Sequence, residues 1–181
     1  MPRDKFGPGH TFLAKEEILS YEEMAKVVAS LLPLGLAKVR ITGGEPLLRR
    51  DLHVLIGLLR DLDADLDIAM TTNGVLLKRN AEMLLKSGLS RVTVSLDAVE
   101  EDLFQTITDS NNTPKQIFEG IDLALEIGLP VKVNCVVKKG VNESQIVPMT
   151  KACMERRVPV RFIEFMDVGT TNDWNLDAVI R

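Results

Sequence analysis

The sequence has few cysteines, few aromatic residues and no long hydrophobic run. Its 181 residues include two cysteines, one tryptophan and one tyrosine. Cys135 and Cys153 lie far apart, and neither belongs to a Cys-x-x-Cys pair. Their spacing therefore predicts neither a disulfide framework nor a zinc or iron–sulfur site. We expect both thiols to be small buried apolar groups.

The lack of a long apolar stretch also disfavours a membrane protein and a secreted protein. No stretch approaches the ~20 apolar residues that cross a bilayer. The segment from Met1 to Gly7 lacks the apolar region of a secretory signal. The net charge is −4 with both signs interspersed, which disfavours a protein that coats nucleic acid. We expect a cytoplasmic protein of one domain, or a large part of one, that binds neither membranes nor nucleic acid.

Short β-branched segments alternate with longer amphipathic segments along the chain. The predicted strands are Lys38–Thr42, Leu66–Thr72, Arg91–Ser95, Val131–Val137 and Val158–Phe165. The predicted helices cover about Ser20–Leu32, Asp51–Leu62, Lys78–Ser87, Thr113–Ile127 and Asn142–Arg156. Strict alternation predicts an α/β fold with a parallel sheet and right-handed crossovers. The pattern alone leaves open a closed barrel, a partly open barrel or a doubly wound sheet.

Local signals mark the ends of several helices. Ser20 and Thr113 are each followed three residues later by Glu or Gln, which predicts a capping box. Asn142 is predicted to start a third helix in the same way, and Asp51 to cap the helix that follows it. Left-handed C-terminal caps are predicted at glycines that follow a helix and precede a strand, namely Gly35, Gly88 and Gly128.

Basic residues share one face of two predicted strands. Side chains alternate along a strand, so Lys38 and Arg40 lie on one face, as do Lys132 and Asn134. Parallel strands are normally apolar on both faces, and buried cations are costly unless they meet an anion. With Arg161 as a further candidate, these cations suggest a polyanionic substrate such as a triphosphate. For the first strand alone, an Arg40–carboxylate pair with Lys38 at the solvent edge stays open.

Polar or glycine-rich residues follow all five predicted strands. The first strand runs into Gly43-Gly44-Glu45-Pro46, where paired glycines allow a ligand to approach the backbone. The other strands run into Thr71-Thr72-Asn73-Gly74, Ser95-Leu96-Asp97, Asn134 and Met166-Asp167. Ligands of parallel α/β folds bind at the carboxyl ends of strands, so we expect one shared site there.

Alternation restricts which of these residues can face that site together. Thr71 and Thr72 lie on opposite faces of a regular strand, so only one of them is expected to point inward. Arg161 and Met166 are also of opposite parity, and both can point inward only if the strand bends.

In this order, the motifs resemble the GTP 3′,8-cyclase family, also called molybdenum cofactor biosynthesis protein A, within the radical S-adenosylmethionine superfamily. The resemblance covers nearly the whole chain and rests on the segments Lys38–Pro46, Thr71–Gly74, Ser95–Asp97, Val131–Val137 and Arg161–Asp167. It implies an incomplete (β/α) partial TIM-type barrel with about five strands present. It also implies a single barrel core over residues 1–181 that is truncated at both ends.

The resemblance further implies a lyase that uses S-adenosylmethionine and [4Fe–4S] clusters. In this family a deoxyadenosyl radical removes the 3′ hydrogen of GTP, which becomes 3′,8-cyclo-7,8-dihydro-GTP for molybdenum cofactor biosynthesis. Carried over by position, the S-adenosylmethionine-binding residues are Gly43, Gly44, Glu45, Ser95 and Met166. The GTP-binding residues are Arg40, Thr71, Lys132, Lys38 and Arg161. The implied partners are GTP, a downstream cyclic pyranopterin monophosphate synthase and a second copy of the chain.

The chain departs from the family in its cysteines. The family carries Cys-x3-Cys-x2-Cys before a Met-Pro pair and a second cysteine triplet near its C-terminus. This chain reads Met1-Pro2 and contains neither triplet. We therefore expect no metal ligand and no activity of the chain alone. The alternatives are a non-catalytic nucleotide-binding remnant, another radical S-adenosylmethionine enzyme, or an aldolase-like barrel with Lys132 as its Schiff-base lysine.

Overall fold

The computed structural model describes residues 17–167 and 174–180, so the Met1-Pro2 pair lies outside the described residues. The strands are β1 Lys38–Ile41, β2 Asp67–Thr72, β3 Arg91–Ser95, β4 Val131–Val137 and β5 Val160–Glu164. The α-helices are α1 Tyr21–Leu31, α2 Leu52–Leu62, α3 Leu77–Lys86, α4 Glu101–Thr108, α5 Pro114–Glu126 and α6 Ile146–Glu155. Short 3₁₀ turns cover Leu32–Leu34, Pro46–Leu48, Glu143–Gln145 and Leu176–Ala178.

The five strands form one parallel sheet in the order β1-β2-β3-β4-β5. Each strand pairs with the next strand in the chain, and at least one helix lies between them in sequence. A doubly wound sheet reverses its strand order at a switch point, and this sheet does not. The predicted α/β partial barrel of parallel strands is therefore confirmed.

The hydrophobic core lies between one face of the sheet and the helices. The strands contribute alternate residues to it, and these are almost fully buried: Ile41, Ile68, Met70, Val92, Val94 and Val133. The helices contribute residues at helical spacing, including Ile56, Leu59, Ala81, Leu84, Ile117 and Ile121. Burying this apolar surface stabilises the fold by about 25 cal/mol per Å². Because side chains alternate, the opposite face of each strand is left for other residues.

The capping predictions are confirmed at two helices and wrong at two others. Ser20 and Thr113 form complete capping boxes at the starts of α1 and α5. Asp51 precedes α2 but makes no side-chain cap, because its backbone is left-handed (φ 57°) and a capping side chain needs extended backbone. Asn142 does not cap a helix either, since its amide bonds Lys138, Val136 and Asp97 instead. The three predicted glycine caps are confirmed, with φ between 83° and 99°.

Helix α4 was not predicted from the sequence. It spans eight residues and the side chain of its N-cap residue, Glu100, makes no capping hydrogen bond, so it lacks the starting signal of α1 and α5. Helix α6 begins at Ile146 rather than at Asn142, because a 3₁₀ turn occupies the segment between them. None of the described helices combines the length and apolar character needed to span a membrane.

Gly74 and Gly128 both have a left-handed backbone (φ 81° and 83°), but only Gly74 is surrounded closely by other atoms. Comparing the two positions therefore distinguishes the cost of backbone strain from the cost of steric crowding. A Cβ on Gly74 would lie 2.8 Å from Cγ2 of Ile117 and 2.9 Å from Cγ1 of Val94, whereas a Cβ on Gly128 meets no atom within 4 Å. Gly128→Ala should cost about 1–2 kcal/mol through the backbone alone. Gly74→Ala should lose a further ~1–3 kcal/mol through overpacking. Urea denaturation of both variants checks this, and equal losses would contradict it.

Candidate ligand-binding face

The face of the sheet opposite the core carries polar side chains in aligned rows. Partners in a parallel register point to the same side of the sheet, so the pairings define the rows. We call this side the polar face, formed by Lys38, Arg40, Asp67, Ala69, Thr71, Arg91, Thr93, Ser95, Lys132, Asn134 and Arg161, with the apolar pair Val136 and Ile163 at its β4–β5 end. The register thus places Lys38, Arg40, Thr71, Ser95, Lys132 and Arg161, all predicted site residues, on one face.

The polar face holds one cation more than the sequence reasoning identified. Arg91 lies in register with Ala69, which in turn is the partner of Arg40. Arg91 is four residues before Ser95, so the alternation that predicts an inward Ser95 also places Arg91 on the same face. The signal was present in the sequence and was missed because Arg91 starts its strand rather than ending it.

Two of the five cations share a carboxylate. Arg91 forms a hydrogen-bonded ion pair with Asp67, and Lys38 Nζ lies 3.7 Å from Oδ2 of Asp67. The Arg91 hydrogen bond lowers the pKa of Asp67 below its usual value, and the charge of Lys38 acts in the same direction. Within residues 17–167 and 174–180, no ion pair involves the other three cations, which are Arg40, Lys132 and Arg161.

Arg40 is held by a hydroxyl rather than by a carboxylate. Its Nη1 donates to Oγ1 of Thr71 at 3.1 Å, across the β1–β2 pair. The pairing of Arg40 with a carboxylate, which the sequence left open, is not found among the described residues. The hydrogen bond fixes the direction of the guanidinium and leaves its charge available to an anion.

Glu45 connects the loops that follow β1 and β2. Its Oε1 accepts from the Leu47 amide at 3.0 Å and from Oγ1 of Thr72 at 2.8 Å, and its Oε2 accepts from the Asn73 amide at 2.7 Å. Thr72 is buried on the core side, so Thr71 alone of the two threonines lies on the polar face. The carboxylate of Glu45 is therefore occupied within the chain and shapes the turn.

The Gly43-Gly44 turn has open space around it. A Cβ added to either residue would meet no atom within 4 Å, and Gly44 does not have a left-handed backbone. The packing of the described chain therefore does not require glycine at position 44. A ligand that approaches the turn would find exposed backbone at the carboxyl end of β1.

A buried amide fixes the loop after Ser95, which is exposed at the end of β3. Asn142 is 2% exposed, and its Nδ2 donates to the carbonyl oxygens of Asp97 at 2.8 Å and Val136 at 2.9 Å. The Asp97 carboxylate accepts from the Val136 amide at 2.8 Å, and burial raises its pKa. These contacts tie the end of β3 to the end of β4, a role that the sequence pattern around Asn142 did not reveal.

Met166 lies beyond the regular part of the last strand. Strand β5 ends at Glu164, and the Met166 side chain is 57% exposed in the segment that follows. Strand alternation therefore does not govern Met166, and the predicted parity conflict with Arg161 does not arise. Whether Met166 contacts a ligand stays a prediction.

The residues present do not fit an iron–sulfur cluster. Among the described residues there is no group of three His, Cys, Asp or Glu that could hold a metal. Cys135 and Cys153 are both buried, as expected, and burial raises the pKa of the Cys135 thiol to about 12. Clusters are held by thiolates, and the fully buried Cys135 lies on the side of β4 opposite the polar face.

A parallel partial barrel with a polar face and a glycine turn at one strand end defines the class of this protein. The family model of the radical SAM superfamily, whose name abbreviates S-adenosylmethionine, matches residues 6–153. The chain belongs to that superfamily.

Within this class, the sequence is similar to GTP 3′,8-cyclases. The enzymes of Staphylococcus aureus strains JH9 and Newman are each 48% identical to it over 180 residues. The aligned region covers 99% of this chain and 53% of each relative. The chain is thus a homologue of GTP 3′,8-cyclase and spans about half the length of the curated relatives it matches.

Solved structures show the same fold. SuiB of Streptococcus suis superimposes with a TM-score of 0.74 at 22% identity, over 91% of this chain and 38% of SuiB. The anSMEcpe structure with bound AdoMet gives a TM-score of 0.66 at 20% identity, over 93% of this chain and 49% of that chain. At such identities the likeness shows the architecture and assigns no ligand to this chain.

Glu45→Gln should destabilise the protein by about 1.5–3 kcal/mol, because hydrogen bonds to a charged acceptor are lost and the new amide faces an N–H group. Glu100→Gln is the matched control, since that carboxylate accepts from Nε2 of Gln145 at the longer distance of 3.3 Å. It should change the free energy of unfolding by less than about 0.5 kcal/mol. Chemical denaturation measures both, and equal losses would show that Glu45 does not hold the turn.

Proposed function

We propose that this chain is the nucleotide- and S-adenosylmethionine-binding core of a GTP 3′,8-cyclase. The observation that supports it most is the group of Arg40, Lys132 and Arg161, which share the polar face without a carboxylate partner among the described residues. Arg40 and Arg161 are exposed and Lys132 is half-buried, so their charges are accessible to a ligand, and a triphosphate supplies several negative charges. The similarity to GTP 3′,8-cyclases supports GTP as that anion.

In this proposal the triphosphate contacts Arg40, Lys132 and Arg161, while Thr71 orients Arg40 through its hydroxyl. Arginine suits the role because its planar guanidinium binds phosphate oxygens in pairs. Lys38 was predicted as a GTP ligand on the strength of the resemblance. Its proximity to Asp67 makes it a weaker candidate than the other three cations.

S-adenosylmethionine would bind at the adjacent strand ends. The backbone of Gly43 and Gly44 is open to a ligand, and Ser95 is exposed at the end of β3. Met166 would complete the site from the segment after β5. Glu45 would contribute by holding the turn in place, because its carboxylate is already occupied by Leu47, Thr72 and Asn73.

The chemistry of the relatives also requires a [4Fe–4S] cluster, which supplies the electron that cleaves S-adenosylmethionine. The residues described here do not fit such a cluster, so we propose that this 181-residue chain binds ligands without turning them over. The corresponding full-length enzyme would be a cytoplasmic lyase that forms 3′,8-cyclo-7,8-dihydro-GTP for molybdenum cofactor synthesis. Its product would pass to a cyclic pyranopterin monophosphate synthase, and the enzyme would act as a homodimer.

Arg40→Ala should weaken GTP binding by about 1.5–3 kcal/mol, the value of a hydrogen bond to a charged group. That loss corresponds to roughly 10- to 150-fold in Kd. S-adenosylmethionine affinity should stay within about twofold, because we place Arg40 on the triphosphate. Arg79→Ala, which removes an exposed cation from α3, is the matched control and should leave both affinities unchanged. Isothermal titration calorimetry with each ligand provides the measurement.

Gly44→Ala, measured in the same way, should show the opposite pattern of losses. Because a Cβ at this position meets no protein atom, the variant should fold normally while S-adenosylmethionine binding weakens and GTP binding does not. If Arg40→Ala and Gly44→Ala each reduced both affinities equally, the division of the face into a triphosphate part and a cofactor part would be wrong.

A further inference from the structure

Asp67 is the one carboxylate among the residues of the polar face, and it lies at the amino end of β2. Lys38 is its direct partner in the β1–β2 register. Arg91 is the register partner of Ala69, which lies two residues after Asp67 on β2. The Arg91 side chain therefore reaches back diagonally to Asp67. Two cations of the face therefore converge on a single carboxylate.

The basic residues of the polar face thus fall into two groups. The lower pair, Lys38 and Arg91, contacts Asp67 at the amino end of β2, although the backbone of Arg91 lies in the same register row as Arg40. The upper group lies in register rows that follow the row of Asp67, and it makes no ion pair among the described residues: Arg40, Lys132 and Arg161. The low pKa of Asp67 is consistent with a carboxylate that stays charged between its two partners.

Stability does not explain this arrangement. The Asp67 and Arg91 side chains are about one third exposed (32% and 30%), and Lys38 is 53% exposed. Ion pairs in such positions contribute only about 0–1 kcal/mol to folding. A negative charge on an anion-binding face also repels the ligand. The charge of Asp67 therefore acts on ligand binding as well as on the fold.

We propose that Asp67 is a specificity-determining residue that withholds Lys38 and Arg91 from anionic ligands. By neutralising the lower pair, it confines polyphosphate binding to the upper cations, of which Arg40 lies on the strand that leads into the glycine turn. A longer or more highly charged polyphosphate then gains nothing from reaching deeper along the face. This inference deepens the proposed function, since it concerns how the same site selects its anion.

Asp67→Asn tests the proposal directly, because the amide keeps the size of the side chain and removes its charge. The probe is inorganic tripolyphosphate, titrated calorimetrically into the intact chain at low ionic strength, where exposed charges are least screened. Releasing the lower cations should raise the affinity for tripolyphosphate by at least about threefold, in line with a charge acting over roughly 10 Å in a partly solvated site. The gain should be smaller for pyrophosphate, which is shorter.

Two further variants isolate the cause. Combining Asp67→Asn with Arg91→Gln should return the affinity toward the wild-type value, because the released guanidinium is then missing. Asp122→Asn is the matched control, since Asp122 pairs with Arg156 Nε at 2.8 Å on the helical side of the molecule. It should leave tripolyphosphate binding unchanged. Asp67→Ser repeats the charge removal with a different side chain, and thermal unfolding of each variant verifies the fold.

Weaker binding in Asp67→Asn would overturn the proposal, because Asp67 would then orient the lower cations as ligands. Unchanged binding would also overturn it, because the lower cations would then lie out of reach of the ligand. Absence of tripolyphosphate binding in both the wild type and the variants would overturn it as well. The probe contains neither guanine nor ribose. A gain with tripolyphosphate together with no GTP binding would therefore support the role of Asp67 while rejecting the proposed GTP function.

Discussion

The register between five parallel strands determines which side chains of this protein can meet. Each strand alternates, and the register keeps the alternation in phase across the sheet, so one face collects Ile, Val and Met and the other collects charged and hydroxyl groups. A slip of one residue in β1, β3, β4 or β5 would turn the cations of that strand toward the helices. The core therefore specifies the polar face, because the burial of apolar residues fixes the register.

The loops at the carboxyl ends of the strands are held by buried polar contacts. Glu45 joins the turn after β1 to the end of β2, and Asn142 joins the loops after β3 and β4. Buried polar groups of this kind are expensive to leave unpaired, so their hydrogen bonds restrict the loops to one arrangement. The exposed backbone of the glycine turn and the exposed Ser95 hydroxyl thus project from a fixed framework.

Much of this arrangement follows from local sequence patterns. The alternation predicts all five strands, and it correctly allows only one residue of the threonine pair on the polar face, which in the structure is Thr71. The Asp67–Arg91 pair and the contacts of Asn142 could not be predicted in the same way. The Asp67–Arg91 and Asn142–Asp97 contacts join residues that are 24 and 45 positions apart, and only the tertiary fold brings these residues together. At Asn142 a local pattern was misleading, because a helix cap and a tertiary contact use the same amide.

A crystal structure of the chain with bound GTP tests the central claim most directly. The account predicts triphosphate oxygens within about 2.7–3.2 Å of the Arg40, Lys132 and Arg161 side chains, on the face opposite the helices. It also predicts that the Asp67–Arg91 pair stays intact in the complex. A triphosphate bound by the lower pair, or bound among the helices, would contradict the account.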